Sequence, residues 1–240
     1  TAKLVDEIEN AKTEKARKKA DNRLGFITPI LKAFLTELGS ESANHGLQIF
    51  GGHGFIKEWG MEQIVRDTRI STLYEGTTGI QALDLLGRKI LMTRGKSLNA
   101  FAKEVLIFCK DQSMISNNPH KRQMNKFIWP LSTTVAKWQQ YTIRLGLKAK
   151  KDRDVVGSAS VDFLMYSGYI VMAYFWAQMA QAAYEKLATD VENRDFYRAK
   201  IKTAEFYFER LLPRTKSLAV TMMADPKTLM QLDEELLSFL

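Results

Sequence analysis

Cysteine is almost missing: Cys109 is the only one in 240 residues. No intrachain disulfide can form, and a tetrathiolate zinc site is excluded. A lone thiol fits a reducing, cytoplasmic setting. Histidine is nearly as scarce. His45, His53 and His120 lack metal-ligand spacing, and no metal is expected. Glycine thins out along the chain, with 11 of 14 at or before Gly95. Glycine lets a backbone approach a ligand closely, so residues 1–95 read as a site-bearing segment and the rest as scaffold. No stretch alternates apolar and polar residues as a half-buried strand would, and no internal repeat is visible. No charged-then-apolar leader opens the chain, which begins at Thr1. It reads as a fragment or a processed product.

What is present is ordinary for a globular protein: 45% hydrophobic and 26% charged residues. A chain this long can bury roughly 70–75% of its unfolded surface without staples. The net charge is +8, but no run of five basic residues occurs. Lys15, Arg17, Lys18 and Lys19 lie among Glu14 and Asp21, as on an exposed helix face. A solvated basic surface is therefore expected rather than nucleic-acid binding.

Helical spacing dominates. Pro29 suits a helix first turn, followed by Ile30, Leu31, Phe34, Leu35 and Leu38. Further stripes are Met61, Ile64, Val65 and Thr68, then Ile80, Leu83, Gly87, Ile90 and Leu91. MTRGK at residues 92–96 reads as a helix end with Gly95 as cap. That places a boundary between domains 1–95 and 96–240. Beyond it come Leu98, Phe101, Val105 and Phe108, then Leu131, Val135, Trp138, Thr142 and Leu145. The last stripe is Tyr197, Ile201, Ala204, Phe208 and Leu211, which Pro213 kinks or stops. A short acidic helix follows Pro226. The fold is expected to be all-α.

Phe163 to Tyr184 carries no charge over 22 positions, long enough for a bilayer. It also holds Ser167, Gln178, Gln181 and four tyrosines spread through its length, unlike a membrane helix. A buried bundle helix is expected, with no membrane span.

Four features between Gln48 and Gln81 carry chemical interest. QIFGGHGF (48–55) puts three glycines in four residues after a long helix. Its amides can cradle a phosphate, or it is a plain glycine-rich helix end. His53 among those glycines is a ligand candidate or a structural hydrogen-bonder. Arg66, Asp67 and Arg69 suit an ion-pair network between helices. YEGTTGIQ (74–81) lies between two helical patterns, with Thr78 and Gln81 fitting a capping box. There Glu75 is a carboxylate on a tight turn, and Gly76 leaves space beside it. The alternative is a helix N-terminal acid favoured by the dipole.

QIFGGHGF followed by RDTRISTLYEGTTGIQ resembles the C-terminal flavin domain of acyl-CoA dehydrogenases, over about Leu24 to Arg94. The resemblance implies a Glu75 that abstracts the α-proton of an acyl-CoA thioester while the β-hydride passes to FAD. It assigns Gln48 and Gly52 to the ADP part of FAD across a subunit interface, Thr77 to FAD, and Gly76 to the thioester. An electron-transfer flavoprotein as acceptor and a homo-oligomer are also implied. Gly79 departs from the glutamine common at its position. The family's N-terminal helical domain, middle β-domain and first bundle helix are not in the chain. Residues 97–240 resemble the helical extension of larger members such as the 3-methylthiopropanoyl-CoA dehydrogenase-like group. An α-C–H is a weak acid, so desolvation by acyl chain and flavin would strengthen the base. A non-catalytic helical interaction module is the competing reading, with Glu75 in a buried ion pair and Phe163–Tyr184 as an oligomer interface.

Overall fold

The computed structural model describes residues 1–189, 192–230 and 233–239. Among them every regular element is helical and the fold is all-α. The chain divides into two compact units, residues 1–97 with 163–165, and residues 98–162 with 166–240.

In the first unit, α1 (Ala2–Glu9) leads into the 37-residue α2 (Glu14–Phe50). The Thr13 side chain caps α2 by accepting from the Ala16 N–H at 3.2 Å. Pro29 does not begin a helix; it lies inside α2. An interior proline removes one ladder bond and crowds the carbonyl four residues back. That carbonyl belongs to Gly25, and the surrounding helix continues unbroken through the proline. Phe26, Ile27, Ile30, Ala33 and Phe34 of α2 are buried, whereas Leu35 is exposed. Against α2 pack α4 (Met61–Ile70) and α5 (Thr78–Leu83). No residue of α4 is fully buried, so its expected stripe only skims the core.

Beyond α5 the helix widens to π geometry over Asp84–Leu91. Its buried side chains are Ala82, Leu85, Leu86 and Ile90, while Ile80 and Leu83 are exposed. Of the expected stripe, Ile90 is buried but Ile80 and Leu83 are not. A π turn rotates the register that a 3.6-residue period assumes. At its end the Gly95 N–H reaches the Ile90 carbonyl at 2.8 Å and the Arg94 N–H reaches Leu91 at 3.1 Å. This paired closure is a Schellman motif. Its left-handed C′ position belongs to Arg94 (φ 54°), with Gly95 (φ 72°) next.

The second unit is built on α6 (Lys96–Asp111), α7 (Lys121–Ala149), α8 (Asp154–Leu187) and α9 (Arg194–Phe206). Leu131, Val135, Trp138, Thr142 and Leu145 of α7 are all buried, as their spacing requires. Each large apolar side chain so covered contributes about 1.5–3 kcal/mol. Helix α8 is long and apolar enough to cross a membrane by length and composition. Most of it is covered within the fold: between Phe163 and Tyr184 only Phe175, Met179 and Ala182 are exposed. Its tyrosines point polar tips at partners, Tyr166 donating to the Thr134 carbonyl at 3.3 Å and Tyr174 to Glu104 at 3.0 Å. Helix α9 runs through π turns at Tyr207–Leu211 into a 3-10 turn at Leu212–Arg214 and then α10 (Thr215–Thr221). Pro213 therefore changes the helix type without stopping the chain's helical course. The acidic helix expected after Pro226 is one α turn, Lys227–Met230, and a 3-10 segment, Glu234–Phe239; residues 231 and 232 lie outside the described residues.

Candidate active site

The turn that carries Glu75 is held from three sides. Helix α4 ends when the Ser71 and Thr72 hydroxyls donate back to the Thr68 and Arg69 carbonyls at 2.6 and 3.0 Å, satisfying acceptors a helix end leaves open. The chain then turns sharply: Glu75 (φ 55°) and Gly76 (φ 86°) are both left-handed. For a glutamate this costs on the order of 1–3 kcal/mol, so the surroundings must hold it. The Gln81 side-chain amide donates to the Glu75 carbonyl at 3.0 Å. The Lys32 ammonium donates to the Gly76 carbonyl at 2.6 Å. The Thr78 hydroxyl donates to the Glu37 carboxylate in a short bond.

The Glu75 side chain itself is exposed and makes no ion pair among the described residues. A side chain at Gly76 would place its Cβ 2.8 Å from the Gln81 amide, so Gly76 is needed for both its φ and its size. The N-cap of α5 is Thr77, accepting from the Ile80 N–H at 3.4 Å. The expected Thr78–Gln81 capping box does not form, because Gln81 reaches back past the cap to Glu75. Thr77 is exposed, and its hydroxyl proton is free to donate. Nothing stands above Gly79.

At the far end of α2, Gly51 (φ 60°) closes the helix and its N–H meets the Gln48 carbonyl at 3.0 Å. The chain then makes one further helical turn, α3 (Gly52–Phe55). A Cβ on Gly54 would lie 2.5 Å from the Leu47 carbonyl, so this glycine lets α3 fold back on α2. Side chains at Gly51 or Gly52 would meet only open space. Gln48 and Gly52 are exposed, as are Ile49, Phe50, Phe55, Ile56 and Trp59 around them. His53 is exposed and lies edge-on to Trp59 at 5.5 Å. Arg66, Asp67 and Arg69 form no ion pair among the described residues; Asp67 accepts from Gln63 at 2.7 Å instead. One side of their helix faces water, so like and unlike charges alike stay solvated.

Two groups thus form within one chain. Glu75, Gly76 and Thr77 share one turn beside Lys32 and Glu37. Gln48 lies 11 to 16 residues further along α2 than Glu37 and Lys32, about 16–24 Å by helical rise, with Gly52 just past the helix end. Lys32 and Glu37 were not singled out by sequence reasoning. A signal existed: they are the only charged residues between Arg23 and Glu41.

Residues 9–91 match the model of the acyl-CoA dehydrogenase C-terminal domain, and residues 101–233 match a C-terminal domain described as acetyl-CoA dehydrogenase C-terminal like. The chain belongs to the acyl-CoA dehydrogenase family. It is 35% identical over 199 residues to 3-methylmercaptopropionyl-CoA dehydrogenase of Ruegeria pomeroyi, covering 83% of this chain and 33% of that protein. It is 30% identical over 218 residues to a broad-specificity linear acyl-CoA dehydrogenase of Mycobacterium tuberculosis, covering 87% and 34%. The chain therefore spans about a third of the length of these relatives. A solved acyl-CoA dehydrogenase of Bacillus anthracis, complexed with FAD, shares the fold with a TM-score of 0.55 at 18% identity, over 91% of this chain and 37% of that one. The family is one of oxidoreductases, in keeping with the motifs at Gln48–Phe55 and Tyr74–Gln81.

Proposed function

We propose that this chain supplies the C-terminal helical part of an FAD-dependent acyl-CoA dehydrogenase, with Glu75 as the base that removes the α-proton of an acyl-CoA thioester. The observation that carries this reading is the exposed Glu75 carboxylate, held left-handed on a pinned turn with no ion-pair partner among the described residues to neutralise it. A carboxylate so placed is free to take a proton from a substrate laid over Gly76. The chemistry FAD supplies when bound is acceptance of the β-hydride. The residues present fit part of a flavin site: open backbone at Gly51 and Gly52, the exposed Gln48 amide, and the free Thr77 hydroxyl. Gly79 offers no side chain there. The distance along α2 between the two groups supports a shared site, with Gln48 and Gly52 serving the flavin of a second subunit. The exposed apolar residues from Ile49 to Trp59 support a homo-oligomer. An electron-transfer flavoprotein as acceptor and a cytoplasmic location belong to the same reading, as does α8 acting as a core helix rather than a membrane span. The competing non-catalytic reading called for a buried ion pair at Glu75, whereas Glu75 is exposed and makes no ion pair among the described residues.

The test is Glu75→Gln in the FAD-loaded enzyme. Glutamine keeps the shape but takes up no proton at neutral pH. FAD and acyl-CoA should still bind, while flavin bleaching after rapid mixing slows by about 10²–10⁴-fold or more. Reduction within about three-fold of wild type sinks the assignment.

A further inference from the structure

We infer that Lys32 is a positioning residue for proton abstraction: its ammonium, held on the Gly76 carbonyl, fixes the left-handed turn that aims Glu75. The inference deepens the proposed reading and rests on Glu75 being the base. Lys32 sits in the middle of α2, in an otherwise apolar stretch, and is half-buried. A cation drawn out of water needs a partner. Among the described residues that partner is no carboxylate. It is the carbonyl of the residue immediately after the base, at 2.6 Å. The same ammonium lies 5.9 Å from the ring of Tyr74, the residue immediately before the base. One charged group therefore touches both flanks of Glu75 from a rigid helix. Hydrogen bonds from an ionised donor are shorter and stronger than neutral ones, and they suit a turn with two consecutive left-handed residues. Glu37, five residues further along α2, takes the Thr78 hydroxyl at the start of α5. The two bonds grip the residues just after Glu75, the Tyr74 ring lies beside the same ammonium before it, and the Gln81 amide on the Glu75 carbonyl closes the turn from within. The side chain between these anchors is left free to face a substrate.

The test again uses the FAD-loaded enzyme. Lys32→Met keeps an unbranched stem but removes the ammonium. The readout is exchange of the α-proton into deuterated water, followed by mass on a 3-thia acyl-CoA, which has no β-hydrogen to give up. Exchange should slow by about 10- to 100-fold, the scale of an ångström misplacement. Flavin content, thermal midpoint and affinity for the same thioester should stay close to wild type. Lys32→Arg, which keeps a charged donor, should recover most of the rate. Exchange within about two-fold of wild type in Lys32→Met overturns the inference, as does a loss that falls wholly on thioester affinity. Should Lys32→Met lose its flavin or its fold, Lys32→Gln decides. Slowed exchange with flavin retained supports the role, whereas wild-type exchange or a second loss of flavin overturns it. Glu75→Gln is run beside these variants. Persistent exchange there sinks the base reading, whatever Lys32 does. Abolished exchange there, with Lys32→Met at wild-type rate, sinks the positioning role alone.

Discussion

Alanine at Gly76 probes how tightly the base-bearing turn is closed. The residue has φ 86°, and an added Cβ would lie 2.8 Å from the Gln81 amide nitrogen. Two costs follow. Holding alanine in the left-handed region costs about 1–2 kcal/mol. The Gln81 amide is the far end of a flexible side chain, so it moves away and gives up its bond to the Glu75 carbonyl, about 1 kcal/mol. Gly76→Ala should therefore cost about 2–3 kcal/mol. Gln81→Ala should cost about 1 kcal/mol, the bond alone. In the double variant the bond is already gone, and the total returns to about 2–3 kcal/mol, so the singles overshoot the double by about 1 kcal/mol. Amide hydrogen exchange across residues 75–83 reads this locally, by mass spectrometry of the matching peptide. At about 1.4 kcal/mol per tenfold, Gly76→Ala should speed exchange of α5 amides by about 30- to 150-fold. If the two single costs add to within about 0.3–0.5 kcal/mol, Gln81 is not what the new methyl meets. The account of the turn would then be wrong.

Two further measurements test the second unit. Cys109 is buried in α6, and burial pushes its thiol up to about 12; only the thiolate attacks a disulfide reagent, so labelling at pH 8 should be negligible in the native protein and complete once denaturant is added. Rapid native labelling refutes that burial. Glu205 is joined to Lys126 and Lys202, and hydrogen bonds from those ammonium groups hold its carboxyl below the usual value of 4.5. A depressed folded value means the contribution is present above about pH 4.5 and is lost as pH falls through the folded value. Glu205→Gln should therefore cost about 0.5–1 kcal/mol near neutrality, a gap that closes on acidification. A gap that widens below pH 4 contradicts the sign.

The all-helical class was legible because apolar residues recur at helical spacing along most of the chain. On α7, Leu131 to Leu145 fall on one face between polar neighbours, and burial follows the spacing. Around Ile80 to Leu91, Gln81, Asp84 and Arg88 mark a polar face, but the π turn adds a residue that a fixed period does not allow for. Pro29 misled for a different reason. Its local preference for a first turn is outweighed by the packing of Phe26, Ile30 and Phe34 on either side of it. At Thr78–Gln81 the capping-box pattern was present, but the cap is Thr77, one residue earlier, and the Gln81 amide meets the Glu75 carbonyl, a competition invisible without the turn's three-dimensional path.

The candidate site shows why a short motif can be read without its supports. Glu75, Gly76 and Thr77 are adjacent in sequence, so their juxtaposition needs no folding to be noticed. Lys32 and Glu37 meet that turn across 44 and 41 residues of sequence, and no local pattern announces such a contact. What the sequence does carry is an anomaly: two charges in an apolar stretch of a long helix. Burial of such charges is unfavourable unless something at their tips repays it. Here the tips meet a backbone carbonyl and a hydroxyl of the turn, not each other. The helix that ends in the glycine-rich motif also fixes the turn carrying the carboxylate. A single rigid element therefore sets the spacing between the two groups. A bend at Pro29 would be felt at the Lys32 contact one turn later, before it reached Gln48. For that reason the proline's tolerance inside α2 bears on the geometry at Glu75 as well as on the stability of the helix.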